Sequence, residues 1–200
     1  MKIIILLAII FQLNYALTQG VYTSGARNVA LSNATVAISD EWSYFNNPGA
    51  ISVNQKVAFG VSYENRFLLK EMQSQSFVGV IPLKKGVLSI GGQLYGFSQL
   101  RSFKSGVGYA MPLAEFVSAG VQLNFQGVRL NQNYGSSNTM TAELGVLTKL
   151  NKKLSIGFSV FNLGSALLDD YQNDRYTTVI RLGAHYKLSD KVLFLAELEK

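Results

Sequence analysis

The chain has 200 residues, 48% of them hydrophobic, 12% aromatic and 15% charged, with 18 glycines, 3 prolines, one histidine and no cysteine. Soluble domains carry about 25% charged residues. The composition excludes a disordered chain, a disulfide scaffold, a thiolate zinc site, a cysteine nucleophile and a multi-histidine metal centre. The formal net charge is +6, but Lys and Arg are scattered and their only adjacent pairs are Lys84-Lys85 and Lys152-Lys153. No basic stripe interleaves with aromatics, so nucleic acid is not an expected partner.

The chain opens with Lys2 and a nine-residue apolar run, Ile3 to Phe11, followed by polar Gln12 and Asn14. Small residues Ala16 and Thr18 stand at positions minus three and minus one of a cut before Gln19. This is the layout of a cleaved secretory signal over residues 1–18. The run is too short for a membrane-spanning helix, which needs about 20 apolar residues. No later stretch is long and apolar enough to be one, so a membrane protein with this sequence must cross the bilayer with strands.

Residues 19–54 form a segment of their own, without alternation and rich in small residues. Asp40 stands where it can N-cap a short helical turn through Tyr44, and Asn47-Pro48-Gly49 is a turn signal. A segment so poor in large side chains suits the filling of a confined space, and inside a barrel that space is the lumen.

From residue 55 to residue 200 the pattern is period two, which places successive side chains on opposite faces of a sheet. Val117, Ala119, Val121, Leu123 and Phe125 alternate with Ser118, Gly120, Gln122, Asn124 and Gln126. Similar runs surround Leu144, Ile156 and Leu182. Nine strands are predicted, over 55–64, 71–82, 86–97, 101–111, 116–129, 138–149, 153–163, 175–187 and 191–199. The last of these puts Val192, Phe194, Ala196 and Leu198 on its apolar side. Soluble strands average about 5–6 residues, whereas a tilted membrane strand needs about 9–11. The polar parity carries Gly, Ser, Gln and Asn, where soluble sheets place charges on their open face. Short connections alternate with longer ones, as in outer-membrane barrels.

These features predict an all-β fold: an antiparallel up-and-down transmembrane β-barrel, incomplete at nine strands, with a short N-terminal plug. Bacterial single-chain barrels have even strand counts. The odd count, and an end at Glu197-Leu198-Glu199-Lys200 without a terminal aromatic, give the expectation that about three to five further strands follow. In the 200-residue chain alone, strands one and nine are expected to stand apart or to be forced into strained closure.

The N-terminal segment resembles that of the FadL-like outer-membrane family, in its PorV/PorQ-type branch of Bacteroidota. The matching positions are Ala26, Arg27, Ala34, Val36, Asp40, Phe45, Asn46, Asn47 and Pro48. Pro48-Gly49-Ala50-Ile51 departs from the family's usual sequel by exchanging its small residues. Val160-Phe161-Asn162-Leu163-Gly164 is a second family-like element. With the hairpins, the resemblance spans nearly the whole mature chain. It implies a plug inside a barrel of about 14 strands. It also implies an outer-membrane protein that passes hydrophobic compounds or docks partners of the type IX secretion machinery, without choosing between these.

Candidate residues follow. Trp42, Phe45, Asn46, Asn47 and Pro48 are candidates to line a hydrophobic ligand's route through the plug, although packing against the wall explains them equally well. Gln122, Asn124, Glu143, Arg181 and His185 fall on the polar parity and are expected to face the lumen, with Glu143 and Arg181 as a structural pair. His185 lies two strands from Glu143, so no carboxylate is placed to orient it as a base. Asp169, Asp170 and Asp174 are candidate calcium ligands, with a solvated loop as the plainer reading. Tyr63, Tyr95, Tyr109 and Tyr186 suit interfacial girdles. No cofactor is expected, and the expected partners are outer-membrane lipid, a hydrophobic small molecule and secretion-system proteins. The alternatives are a lipid-modifying barrel enzyme and a secreted soluble β-domain that binds a ligand.

Overall fold

Alternation along the chain produces a meander of hydrogen-bonded hairpins in the computed structural model, which describes residues 23–130, 135–169 and 174–200. The predicted signal segment lies outside the described residues. The strands are β1 (Ala58–Asn65), β2 (Gln73–Pro82), β3 (Val87–Gly96), β4 (Leu100–Ala114), β5 (Val117–Leu130), β6 (Ser136–Lys149), β7 (Leu154–Phe161), β8 (Leu167–Asp169), β9 (Asp174–Arg175), β10 (Val179–Ser189) and β11 (Val192–Glu199). Nine of them form one sheet in the order β1-β2-β3-β4-β5-β6-β7-β10-β11, every neighbour antiparallel.

The up-and-down order matches the expectation, but the sheet is not closed into a barrel. β1 is paired with β2 alone and β11 with β10 alone. Nine alternating strands leave the first and the last running the same way, so no antiparallel seam can join them. The two edges stand apart, with one row of backbone groups on each outside the sheet's ladder.

Two departures from the predicted strands share one cause. The chain between β7 and β10 contains a separate two-stranded ribbon, β8 with β9, too short to show a period in sequence. β10 starts at Val179 rather than at 175 because the residues before it are bound into this connection. Asn162, in the left-handed region at φ 57, donates from Nδ2 to the Tyr176 carbonyl at 2.7 Å and accepts at Oδ1 from the Ala166 N–H at 2.9 Å. The Thr178 hydroxyl donates to the Asn162 carbonyl at 3.0 Å.

Burial along the strands is inverted relative to a soluble sheet. On β5, Gln122, Asn124 and Gln126 are buried while Val121, Leu123 and Phe125 are exposed, Leu123 at 65%. On β1, Phe59, Val61 and Tyr63 are exposed, Val61 at 70%. The register carries this parity across the sheet: Tyr109 faces with Val121, Leu144 with Val121, and Leu182 with Phe158 and Leu198. Phe194, Ala196 and Leu198 share the apolar face with Tyr186, Ala184 and Leu182, as predicted, whereas the fourth residue of that prediction, Val192, pairs with Ser189 beyond a register shift in β10. Tyr63, Tyr109 and Tyr186 also lie on that face. Tyr95 is a correction: it pairs with buried Ser74 and so stands on the polar face.

The polar face is covered by the chain's own N-terminal segment. It contains one helical turn (Ala26–Ala30) and two 3-10 turns (Glu41–Phe45 and Pro48–Val53). Asp40 holds the N-cap position of the first 3-10 turn, and its N–H donates to the Ser43 hydroxyl at 3.0 Å. The turn runs one residue past the predicted Tyr44. Towards the short-turn end, Tyr44, Phe45 and Ile51 pack with Val78, Val80, Val87 and Ala110 in one apolar cluster. Ala37, Ala50 and Leu147 make a second. Fully burying a side chain of this size is worth about 1.5–3 kcal/mol, which fixes the segment to the sheet.

Candidate functional site

The segment can lie this close because glycines remove side chains beneath it. A Cβ on Gly145 would stand 2.1 Å from Asn47 Oδ1, and one on Gly157 would stand 2.1 Å from the Val36 carbonyl oxygen. Neither is a normal contact distance, so the inner parity of β6 and β7 is cut to the backbone of the segment.

Asn47 is the point of attachment. Its Nδ2 donates to the carbonyl oxygens of Val36 at 2.6 Å and Val146 at 3.0 Å, and its Oδ1 accepts from the Gly49 N–H at 3.0 Å. Both amide hydrogens are spent on the chain itself. Pro48 sits over Gly120 and Gly145. Trp42 lies over Gly25 and Gly60 and stacks on Phe45 at 6.0 Å between ring centroids. Phe45 in turn meets Tyr44 edge-on at 4.9 Å. Of the five residues predicted to line a ligand route, Asn47 and Pro48 are thus occupied by packing. Phe45 and Asn46 instead border a narrow cavity between segment and sheet, with Lys104, Glu143, Phe161 and Arg181.

That cavity is bounded by the buried polar residues of the sheet. Lys104 Nζ lies 2.5 Å from Glu143 Oε1, and Asn124 Nδ2 donates to the same oxygen at 2.7 Å. Gln122 Nε2 donates to Asn124 Oδ1 at 2.8 Å. Lys104 also stands over the Phe161 ring, 5.1 Å from its centroid, a cation–π contact that offsets part of its lost hydration. Lys104 lies opposite Gln126 on β5 and Glu143 lies opposite Gln122, so the ion pair spans β5 diagonally above Asn124. Asn124 has Gly106 opposite it, and a Cβ there would meet Asn124 Oδ1 at 2.5 Å. The glycine therefore opens the space the diagonal needs.

The predicted Glu143–Arg181 pair is not formed. Arg181 Nε lies 2.7 Å from Glu199 Oε2 and 3.8 Å from Glu197 Oε1, because β10 and β11 pair Arg181 directly with Glu199. Glu197 Oε2 also accepts the Val36 N–H at 2.9 Å, tying the N-terminal segment to the edge strand. Proximity across one ladder step outcompetes a partner two strands away, and Glu143 finds its cation on β4 instead.

Gln122, Asn124, Glu143, Arg181 and His185 all stand on the inner parity. The first four are buried; His185 lies towards the short-turn end, where Arg27 and Lys187 act on it electrostatically. Cations cannot orient it as a general base. Lys104, Glu197 and Glu199 were not among the predicted inner-face residues, and Gln126, on the polar parity, was not singled out. Lys104 carries a signal, a lone charge at mid-strand among small residues of its own parity, Ser102, Gly106 and Gly108. Among the described residues, no group of three His, Asp or Glu converges on a point. Asp170, and the side chains of Asp169 and Asp174, lie outside the described residues.

Gln126 Oε1 and Nε2, Gln122 Oε1, Thr141 Oγ1 and Asn46 Oδ1 are buried without a hydrogen-bond partner among the described residues. Unpaired buried groups of this kind cost about 1–3 kcal/mol each unless water reaches them. The cavity has room for about one water. An ammonium, a carboxylate, a guanidinium and a set of amides so arranged hold polar groups in place; they supply no activated nucleophile. No family model, curated protein or solved structure matches the chain.

Proposed function

We propose that this chain is the wall of an outer-membrane β-barrel, with residues 23–54 as a plug against its inner face. The single observation that carries the reading is the inverted burial. Lys104, at 2% exposure, and Gln126, at 0%, are buried on the inner face while Val61 and Leu123 stand exposed on the other side. A continuous apolar outer face is expensive in water and favourable in hydrocarbon. Tyr63, Tyr109 and Tyr186 on the apolar face and the longer connections after β1 and β7 support the same reading, while residues 97–99, predicted as a longer connection, join β3 to β4 in a turn as short as those of the other end. The secreted soluble alternative has to leave that face in water. The enzyme alternative has to find its nucleophile and base elsewhere than in the buried polar cluster.

The FadL-like resemblance offers two roles, passage of hydrophobic compounds or docking of type IX secretion partners. Asn47, Pro48 and Tyr44 hold the segment against the inner face, and on that packing we favour docking. Two measurements test the proposal. Unboiled, detergent-folded protein is expected to migrate faster than boiled protein, and to stay soluble only with detergent. Deletion of the gene in its host is expected to reduce cargo on the cell surface while leaving uptake of hydrophobic compounds intact. The opposite outcome would move the role to transport.

A further inference from the structure

The lysines are not spread evenly over the two ends of the sheet. At the end formed by the short turns, Lys84 and Lys85 follow β2, Lys152 and Lys153 follow β6, and Lys191 follows β10. Lys56 precedes β1, and Lys149 and Lys187 close β6 and β10 at the same level. All eight are exposed and none is an arginine. Within the short turns themselves the acids are Glu115 and Asp190, and Asp190 is bound to Lys187 at 2.7 Å; Asp40, beside Asn54, is already paired with Arg27. At the opposite end, the connection after β1 balances its charges, with Glu64 and Glu71 against Arg66 and Lys70.

Each short turn also presents an exposed leucine at the point where its strand ends: Leu83, Leu113, Leu150 and Leu188. Three of these are followed within three residues by lysine. The turns recur at successive hairpins along the whole sheet, so the pattern forms a rim and not a patch on one side.

We infer that this rim docks on the anionic phospholipid headgroups of the leaflet on the short-turn side. The inference rests on the proposed membrane reading and adds a lipid preference to it. The leucines continue the apolar outer face to its last residue, at the level where acyl chains begin. The lysines extend their ammonium groups beyond it, to the level of the phosphates. A protein partner would be matched by charge concentrated on one flank; a surrounding headgroup layer is matched by charge spread along the rim, as at three of these four turns, the β4–β5 turn with Glu115 being the exception. Exposed ammonium groups on flexible stems suit mobile phosphates better than one fixed set of carboxylates.

The test uses the full chain, refolded from denaturant into vesicles of phosphatidylcholine and into vesicles of equal parts phosphatidylcholine and phosphatidylglycerol, then floated on a density gradient. The expected result is incorporation into both, with partition into the anionic vesicles higher by about tenfold at low salt and the gain shrinking as salt is raised. The variant K84Q/K85Q/K152Q/K153Q is expected to enter phosphatidylcholine like the parent and to lose most of the gain. The control R66Q/K70Q, at the other end, is expected to keep it. Incorporation without a gain, or a gain that the quadruple variant retains, overturns the lipid rim and leaves the barrel standing. Failure to enter either vesicle overturns the barrel reading and the rim with it. An acidic protein as the true partner would appear as the first of these outcomes.

Discussion

Lys104 and Glu143 form an ion pair at 2.5 Å with both side chains almost wholly withdrawn from solvent, at 2% and 6% exposure. The two residues lie on β4 and β6, with Asn124 of β5 between them and donating to the same carboxylate oxygen. Such a pair is sensitive to the loss of one partner, because the remaining charge stays buried. Lys104→Met is expected to cost about 3–5 kcal/mol by leaving Glu143 unpaired. Adding Glu143→Leu to it should recover most of that loss, since an apolar pair of similar volume carries no desolvation penalty. Denaturant unfolding of the two variants in detergent or lipid measures the difference; equal instability of the single and double variants would show that the pair does not act as a unit.

Asn47 joins residues far apart in sequence, reaching the Val36 and Val146 carbonyls and the Gly49 N–H. Asn47→Ala strands all three, with an expected cost of about 2–4 kcal/mol. Asn47→Asp should be the worse substitution. It can still accept from Gly49, but it turns a carboxylate oxygen towards two carbonyl oxygens that need donors. Limited proteolysis reads this directly, as earlier cleavage within residues 23–54 for Asp than for Ala.

The close approach at Gly157 gives a steric test. A methyl group there meets the Val36 carbonyl oxygen at 2.1 Å, whereas one on Gly164 meets nothing within 4 Å. Gly157→Ala is expected to lift the segment from β7 at a cost of about 1–3 kcal/mol. Gly164→Ala should fall within about 0.5 kcal/mol of the parent. Thermal unfolding and the rate of proteolysis ahead of β1 distinguish the two.

The parity of the sheet gives the test of its surroundings. Val121→Arg on the exposed apolar face is expected to cost about 2–4 kcal/mol in a bilayer if it stands near the midplane. In a soluble sheet the same change at an exposed site would be close to neutral. Ser155, on the inner parity at the short-turn end and half-buried, should tolerate arginine better. Gln122→Arg is no such control, because Gln122 is buried and holds Asn124. Refolding yield and unfolding free energy in vesicles decide: equal tolerance at Val121 and Ser155 would exclude lipid on the outer face.

The sequence by itself determined the meander and the facing of nearly every strand residue. Period-two alternation is a local property, and hairpins with short turns pair neighbours in order, so Leu123 and Gln122 had to part to opposite faces whatever else occurred. Tyr95 lay at a strand end where the alternation weakens, and there the expectation went to the wrong face. Partners were decided by the tertiary structure. Glu143 had Lys104, Arg181 and His185 within its parity, and only the strand register, with the gap over Gly106, selects Lys104. Arg181 was taken by Glu199 because the ladder of β10 and β11 sets them side by side. The N-terminal segment shows the same division. Its small residues marked it as a filler, but that Asn47 would bind Val146, and Val36 would lie on Gly157, depends on how a non-repeating backbone meets a twisted sheet. No period in the sequence encodes that meeting.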